Sequence, residues 1–364
     1  MIFLIPFLAA FVLCLLLTPL TIILASKLGL VDDPGARAHP ASLHKRIIPR
    51  AGGLPIFLAV VLVGAAILAP SQKILGIFLG GLILVALGLL DDKYDLPVLP
   101  KLAGQMLAAG VVVASGVGID FITNPFLLFD SSGLGLGNVI RLDSWRISFH
   151  FLGAHSIVVW ADLFAFFWIV WVINMVNFSS GVDGQMPGIV LVALVVIFAA
   201  SLRFFPADQN QLVVGQLATM AAGATLGFLL FNFYPAKIFP GDSGSYFLGF
   251  LVAVCAILAG ARVGTAILVM AVPLIDGVFT VIRRVASGKS PFLGDRKHLH
   301  HRLLELGWGQ RRIALFYWLL CAILGAVALL LPSASKLFAG VVVSVVVLGG
   351  LLWLNMNLPQ KDLR

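Results

Sequence analysis

Eleven apolar runs dominate this chain, over 1–25, 51–70, 74–90, 102–118, 158–176, 187–202, 212–233, 244–261, 263–282, 313–331 and 337–354. A helix needs about 20 mostly apolar residues to cross a bilayer, and backbone exposed to hydrocarbon must satisfy its own hydrogen bonds. The runs predict an all-α polytopic membrane protein of about eleven transmembrane helices. Composition agrees: of 364 residues, 60% are hydrophobic and 11% charged, with a mean hydropathy of +1.07. A soluble domain carries about 25% charged residues, too many more for this chain to cover a water-facing surface. The runs lack two-residue alternation, which argues against an outer-membrane barrel. Residues 1–26 carry no charge ahead of Lys27 and outlast the roughly 7–15-residue apolar region of a signal peptide, so they read as a first span. No internal repeat appears, and residues 1–364 read as one integral-membrane domain. Cys14, Cys255 and Cys321 all lie within apolar runs, so no disulfide framework is indicated.

Lys and Arg set the orientation. With the amino end outside, 18 of the 24 fall in the segments placed inside, which puts 26–50, 91–101, 178–186, 234–243, 283–312 and 355–364 in the cytoplasm. This bias also accounts for the net charge of +8 without nucleic acid as a partner. Basic segments beside spans suit an anionic leaflet and phosphate-bearing ligands alike. The long outside segment 119–157 contains NVIRLDSWRISFHF, in which Ile140, Leu142, Ile147 and Phe149 alternate with polar residues; a short extracytoplasmic β-hairpin is expected there. His150 and His155 in that segment read as surface or packing residues rather than metal ligands.

The polar residues of the cytoplasmic side carry the chemistry. Asp91, Asp92, Asp95, Asp183 and Asp242 sit at span ends within short, nearly uncharged segments, and Asp276 lies near the end of another span. Ionisable groups at membrane depth are costly and therefore functional candidates. Asp91, Asp92 and Asp95 share a face if their helix continues, and clustered carboxylates need a proton or cation between them. Mg²⁺ suits such a site, since it takes one or two carboxylates plus phosphates and water. In PGDSGS (240–245), the glycines let backbone approach a ligand and the helix start favours an anion. Asp242 there implies a metal bridge, or, on the blander view, a helix cap made with Ser243. DRKHLHHR (295–302) groups His298, His300 and His301 with Arg296, Lys297 and Arg302. Zinc is disfavoured by the surrounding cations, and substrate phosphates fit better. The first cytoplasmic segment adds Arg37, His44, Lys45, Arg46 and Arg50 before Gly52 and Gly53, glycines that could equally serve helix packing. Carboxylates for a metal and cations for phosphates, on one side of the membrane, point to phosphoryl transfer.

These segments, in this order from about Gly29 to Arg312, closely resemble the polyprenyl-phosphate N-acetylhexosamine-1-phosphate transferases. The resemblance rests on RAGG (50–53), DDKYD (91–95) with KLAGQ (101–105), INMVNFSSGVDGQMPG (173–188), NFYPAKIFPGDSGS (232–245) and HLHH (298–301). It implies transfer of N-acetylhexosamine-1-phosphate, GlcNAc-1-phosphate foremost, from a UDP-sugar to undecaprenyl phosphate. UMP would leave, and the lipid-pyrophosphate sugar would enter cell-envelope polysaccharide synthesis. It implies Mg²⁺ as cofactor, with Mn²⁺ as the alternative, and a bacterial plasma membrane as the location; a homodimer stays open. Among the residues, it implies catalytic roles for Asp91, Asp92 and Asp183 and metal roles for Asp242, Asn177 and Asp92. Substrate contacts would fall to Lys45, Arg50, Asp95, Lys101, Asn174, Gly181, Gly241, His298, His300, His301 and Arg302.

Three departures stand out. Ser180 replaces an Asp that many bacterial members carry, Gln185 replaces a Leu, and Arg37-Ala38-His39 replaces an Arg-Lys pair. The rivals are the peptidoglycan branch that takes UDP-MurNAc-pentapeptide, a degenerate member without catalysis and a membrane transporter. HLHHR and KRIIPR favour the GlcNAc-type branch over the first. A carrier should place polar groups near the midplane between repeated halves, and this chain gathers them at one face.

Overall fold

The protein was analysed as a computed structural model, which describes residues 1–35, 46–124, 139–150, 154–260, 263–288, 290 and 298–357. Lys45, with Arg37, His44, Asp295, Arg296 and Lys297, lies outside the described residues. The chain begins with α1 (Leu4–Lys27), whose exit is pinned by a small antiparallel pair, β1 (Val31–Asp32) and β2 (Ile48–Pro49). Then follow α2 (Gly53–Ile67), α3 (Gln72–Tyr94) and α4 (Val98–Ala114). Ser71 caps α3 by accepting from Ile74 N at 3.3 Å, and Pro97 keeps α3 and α4 apart.

A strand-rich segment separates α4 from the next helix: β3 (Phe121–Thr123), β4 (Val139–Arg141), β5 (Arg146–His150) and β6 (Ala154–Val158). The residues expected to form one hairpin do become strands, but they do not pair with each other. β4 pairs antiparallel with β3, and β5 with β6. Among its described residues the segment thus holds two antiparallel strand pairs, and the two strands of NVIRLDSWRISFHF each take a partner from outside that stretch, because alternation identifies a strand but not its partner.

The remaining helices are α5 (Val159–Phe178), α6 (Gln185–Ser201), α7 (Asn210–Asn232), α8 (Gly241–Leu258), α9 (Val263–Val269), α10 (Ala271–Ala286), α11 (Leu299–Glu305), α12 (Gln310–Leu330) and α13 (Ser333–Asn357). This is an all-α, multi-pass membrane architecture. Among the described residues, seven helices (α1, α3, α5, α7, α8, α12 and α13) are long and apolar enough to cross, and α9 with α10, bent by 82°, makes an eighth if counted as one span. α2, α4 and α6 are apolar but only 15, 17 and 17 residues long. At 1.5 Å per residue each reaches about 25 Å or less, short of the roughly 30 Å core. Each expected run is therefore helical, but the count of eleven full spans is not established.

The centre of the bundle is α7 and α8, both largely enclosed. α1 and α6 cover α7, while α3 and α5 cover α8. Small residues permit this closeness, as membrane helices gain little from hydrophobic burial between them. At Gly88 on α3 and Gly53 on α2, any side chain would overlap the Ser243 backbone at the start of α8. The expected packing role of the first glycine pair is thereby met, and three helix ends converge on one point.

Candidate active site

That point is the first turn of α8. A helix start exposes unsatisfied N–H groups, and Pro240, preceding this one, offers no side-chain cap. The cap comes instead from α3: Asp92 Oδ1 accepts from Asp242 N at 2.9 Å, and Oδ2 accepts from Ser243 N at 3.3 Å and Ser243 Oγ at 3.1 Å. Gly241 makes this geometry available, since it has φ +64° and a Cβ there would enter the Asp92 carboxylate. Arg50 Nε stands 3.4 Å from Asp92 Oδ1. Burial works against the Arg50 charge, but the carboxylates of Asp92, Asp242, Asp32 and Asp95 outweigh it and hold the guanidinium protonated.

With Asp92 capping α8, the Asp242 side chain is released from that duty. Asn177, on the last turn of α5, donates through Nδ2 to Asp242 Oδ1 at 2.6 Å and to Ser245 Oγ at 2.7 Å. Asp242 is thus turned toward Asp91, within hydrogen-bonding reach. Asp91 Oδ1 accepts from Leu96 N at 2.9 Å and pairs with Lys101 Nζ at 2.8 Å, while Oδ2 accepts from Tyr246 OH at 3.2 Å. The neighbouring carboxylates of Asp91 and Asp92 therefore serve different partners. Asp95 lies off the helical face that carries them. α3 ends at Tyr94, and Asp95 takes the left-handed C-cap (φ 51°) with an exposed side chain. The face expected to hold three carboxylates holds two.

Asn174, one turn deeper on α5, exchanges amide hydrogen bonds with Gln105 of α4, the shorter at 2.7 Å. Asp183 stands apart from the carboxylate cluster: its Oδ2 accepts from Ala236 N at 2.9 Å, and its own N–H meets Gln310 Oε1 at 3.4 Å. Next to it, Asn232 accepts from Gly184 N at 3.0 Å and donates to Ile238 O at 2.8 Å. Asp183 and Asn232 thereby fasten the 179–184 turn to the segment leading into α8.

The histidines meet this same turn. The His300 imidazole rests against Gly181, where any side chain would collide with it. His298, His300 and His301 stack closely, with 4.2 Å between the ring centres of the last two. Asp276 holds the group from α10, with Oδ2 3.0 Å from His298 Nδ1 and Oδ1 accepting from Leu299 N at 2.9 Å. Burial first, then the neighbouring His301 and His298, push His300 well below the usual histidine range; its Nδ1 is buried without a hydrogen-bond partner. Arg302, two residues on, points elsewhere: its donors reach Asn355 of α13 and Glu305.

Sequence reasoning did not select Tyr246, Ser245, Asn232 or Asn355. The first two adjoin Asp242 and carried a signal in their spacing; Asn355, in an apolar run, carried none.

Among the described residues no group of three or more His, Cys, Asp or Glu is arranged to hold a metal. The donor set does fit magnesium, which asks for fewer protein ligands than that. Asp91 and Asp242 oppose each other, and their like charges require a proton or cation between them. Lys101 pairs with Asp91, and Asp242 accepts from a neutral amide while Arg50, whose bridge goes to Asp92, acts on it from farther off. The acidic groups lie at the end of α3 and the start of α8, so the midplane placement expected of a transporter is absent from this cluster.

Residues 74–260 match glycosyl transferase family 4. The chain is 32% identical over 341 residues to a probable undecaprenyl-phosphate N-acetylglucosaminyl 1-phosphate transferase of Bacillus subtilis, covering 91% of this chain and 85% of that one. It is 32% identical to the decaprenyl-phosphate N-acetylglucosaminephosphotransferase of Mycobacterium tuberculosis (93% and 85%). It is 30% identical to an undecaprenyl-phosphate alpha-N-acetylglucosaminyl 1-phosphate transferase of Escherichia coli (84% and 77%). Matches of this extent place the chain in glycosyl transferase family 4.

Proposed function

We propose that this protein transfers GlcNAc-1-phosphate from UDP-GlcNAc to a polyprenyl phosphate, undecaprenyl phosphate foremost, at the cytoplasmic face of a bacterial plasma membrane. The names of the relatives support the reaction class. The observation that carries the reading for this chain is the release of Asp242 from its own helix by Asp92, leaving it turned toward Asp91 beside Lys101 and Arg50.

In this reading an oxygen of the lipid phosphate attacks the β-phosphorus of the donor. The bond from that phosphorus to the bridging oxygen breaks, and UMP departs with it. Lys101 and Arg50 hold anionic oxygens against repulsion, and Asp91 orients the acceptor phosphate or takes its proton. Asn177 fixes the rotamer of Asp242, so little reorganisation accompanies the reaction. His300 and His301, against Gly181, receive the pyrophosphate of the donor. Asp91 and Asp242 would hold Mg²⁺, or Mn²⁺ as the alternative, which when bound neutralises charge on the transferring phosphoryl group. Asp92, expected as a ligand, has both oxygens engaged by α8 and is read here as the residue that aims Asp242.

The test is UMP release by purified protein from UDP-GlcNAc, with and without undecaprenyl phosphate and Mg²⁺, beside Asp242→Ala. Release that depends on all three is expected. Release by the variant at the wild-type rate would overturn the site, and silence with every UDP-N-acetyl sugar would overturn the activity.

A further inference from the structure

Arg302 is 2% exposed, and a guanidinium cannot shed its charge in a protein interior. Such a group must be held by hydrogen bonds, and its partners reveal its task. Nη1 donates to Glu305 Oε2 at 2.7 Å within α11 itself. Nε and Nη2 both donate to a single oxygen, Asn355 Oδ1, at 3.2 and 2.7 Å. Asn355 is itself fixed, because its Nδ2 donates to Leu351 O at 2.8 Å one turn back. The amide oxygen therefore faces Arg302 in one orientation.

The setting gives this contact its weight. α13 exposes most of its apolar length, but Leu351 and Leu354 are buried beside Asn355 near its carboxyl end. α11 is only seven residues long and cannot be stable by itself. Its front is fastened by Asp276 through His298 and Leu299, and its back by Asn355 through Arg302. His300 and His301 lie between the two fastenings.

We infer that Asn355 is a positioning residue for the nucleotide site: through Arg302 it sets how α11 presents His300 and His301 to a nucleoside diphosphate. This rests on the proposed function, in which those histidines receive the donor pyrophosphate. It also gives Arg302 a different task from the phosphate contact its place among the histidines suggests. Asn355 acts on donor binding, and acceptor binding at Asp91 and Lys101 is independent of it.

The experiment measures UDP binding by calorimetry to full-length protein in detergent, with the KM values for UDP-GlcNAc and undecaprenyl phosphate alongside. Asn355→Leu, which removes the accepting oxygen, should weaken UDP binding and raise the donor KM about ten-fold, with the acceptor KM unchanged. Asn355→Asp, which keeps an oxygen at the same reach, should stay within about two-fold of wild type. Should the Leu variant fail to fold, Asn355→Gln, with its oxygen one methylene farther out, should weaken UDP binding while the Asp variant does not. UDP affinity unchanged in the Leu or Gln variant overturns the inference. So does an equal loss for donor and acceptor that the Asp variant fails to restore. Wild-type protein that binds no UDP would overturn the proposed function itself, a result distinct from both.

Discussion

The carboxylate cluster and the histidine cluster lie on either side of the 177–184 segment but are built on different principles. Asp91, Asp92 and Asp242 stand on long helices, α8 at the centre of the bundle and α3 packed against it, and each carboxylate accepts hydrogen bonds from a neighbouring element. The histidines stand on a seven-residue helix fastened at its two ends, and His300 keeps an unpartnered nitrogen. A satisfied network on rigid elements suits a reacting centre, which gains from needing no reorganisation. A short, laterally held helix with spare hydrogen-bonding capacity suits capture and release of a ligand. The contrast predicts that damage on the first side falls on turnover and folding, and damage on the second side on donor binding.

The largest effect should separate the two adjacent aspartates. Asp91→Asn should lower kcat by about a thousand-fold or more while leaving thermal stability near wild type. Asp92→Ala should also abolish activity and cost about 3 kcal/mol of stability, because it strips the cap from α8 and leaves Arg50 without its partner. A thermal midpoint for Asp92→Ala equal to that of Asp91→Asn would refute the division of labour.

Gly241→Ala comes next. It places a methyl group in the Asp92 carboxylate at a positive φ, and should cost about 2 kcal/mol with loss of most activity. A variant with normal kcat would show that the Asp92 cap is dispensable.

On the histidine side, His300→Ala should raise the KM for UDP-GlcNAc about ten-fold with kcat changed far less. His300 also links stability to pH. In the unfolded chain it titrates near 6.5, while the folded protein keeps it neutral well below that. Its contribution is therefore complete above pH 6.5 and is lost progressively as pH falls beneath it. Unfolding curves at pH 7.5 and 5.5 should differ less for His300→Gln than for wild type; an equal difference would assign the acid sensitivity elsewhere.

The smallest effect belongs to Ser180. It is exposed and donates to Asn177 O at 2.6 Å, away from the carboxylates. Ser180→Asp should change kcat less than about three-fold, and a gain of a hundred-fold would show that the serine limits this enzyme.

The sequence alone was enough to read the helices, the membrane and the segments that form the candidate site. Long uncharged runs have one stable backbone solution in lipid, and a carboxylate beside such a run is too costly to be incidental. It also brought Asp242, Asn177 and the histidines together as candidates, because their residue types and order are those of a phosphate-handling family. The length of α2, α4 and α6, the break between α9 and α10, and the partners of the strands were decided by packing, which hydropathy does not encode. The same holds for the roles within the site. Asp91 and Asp92 differ by one position, about 100° around a helix. That rotation sends one to Lys101 and Tyr246 and the other to the start of α8. Asn355 reaches Arg302 across 53 residues of sequence, and an amide in an apolar run acquires that meaning only when the bundle closes around it.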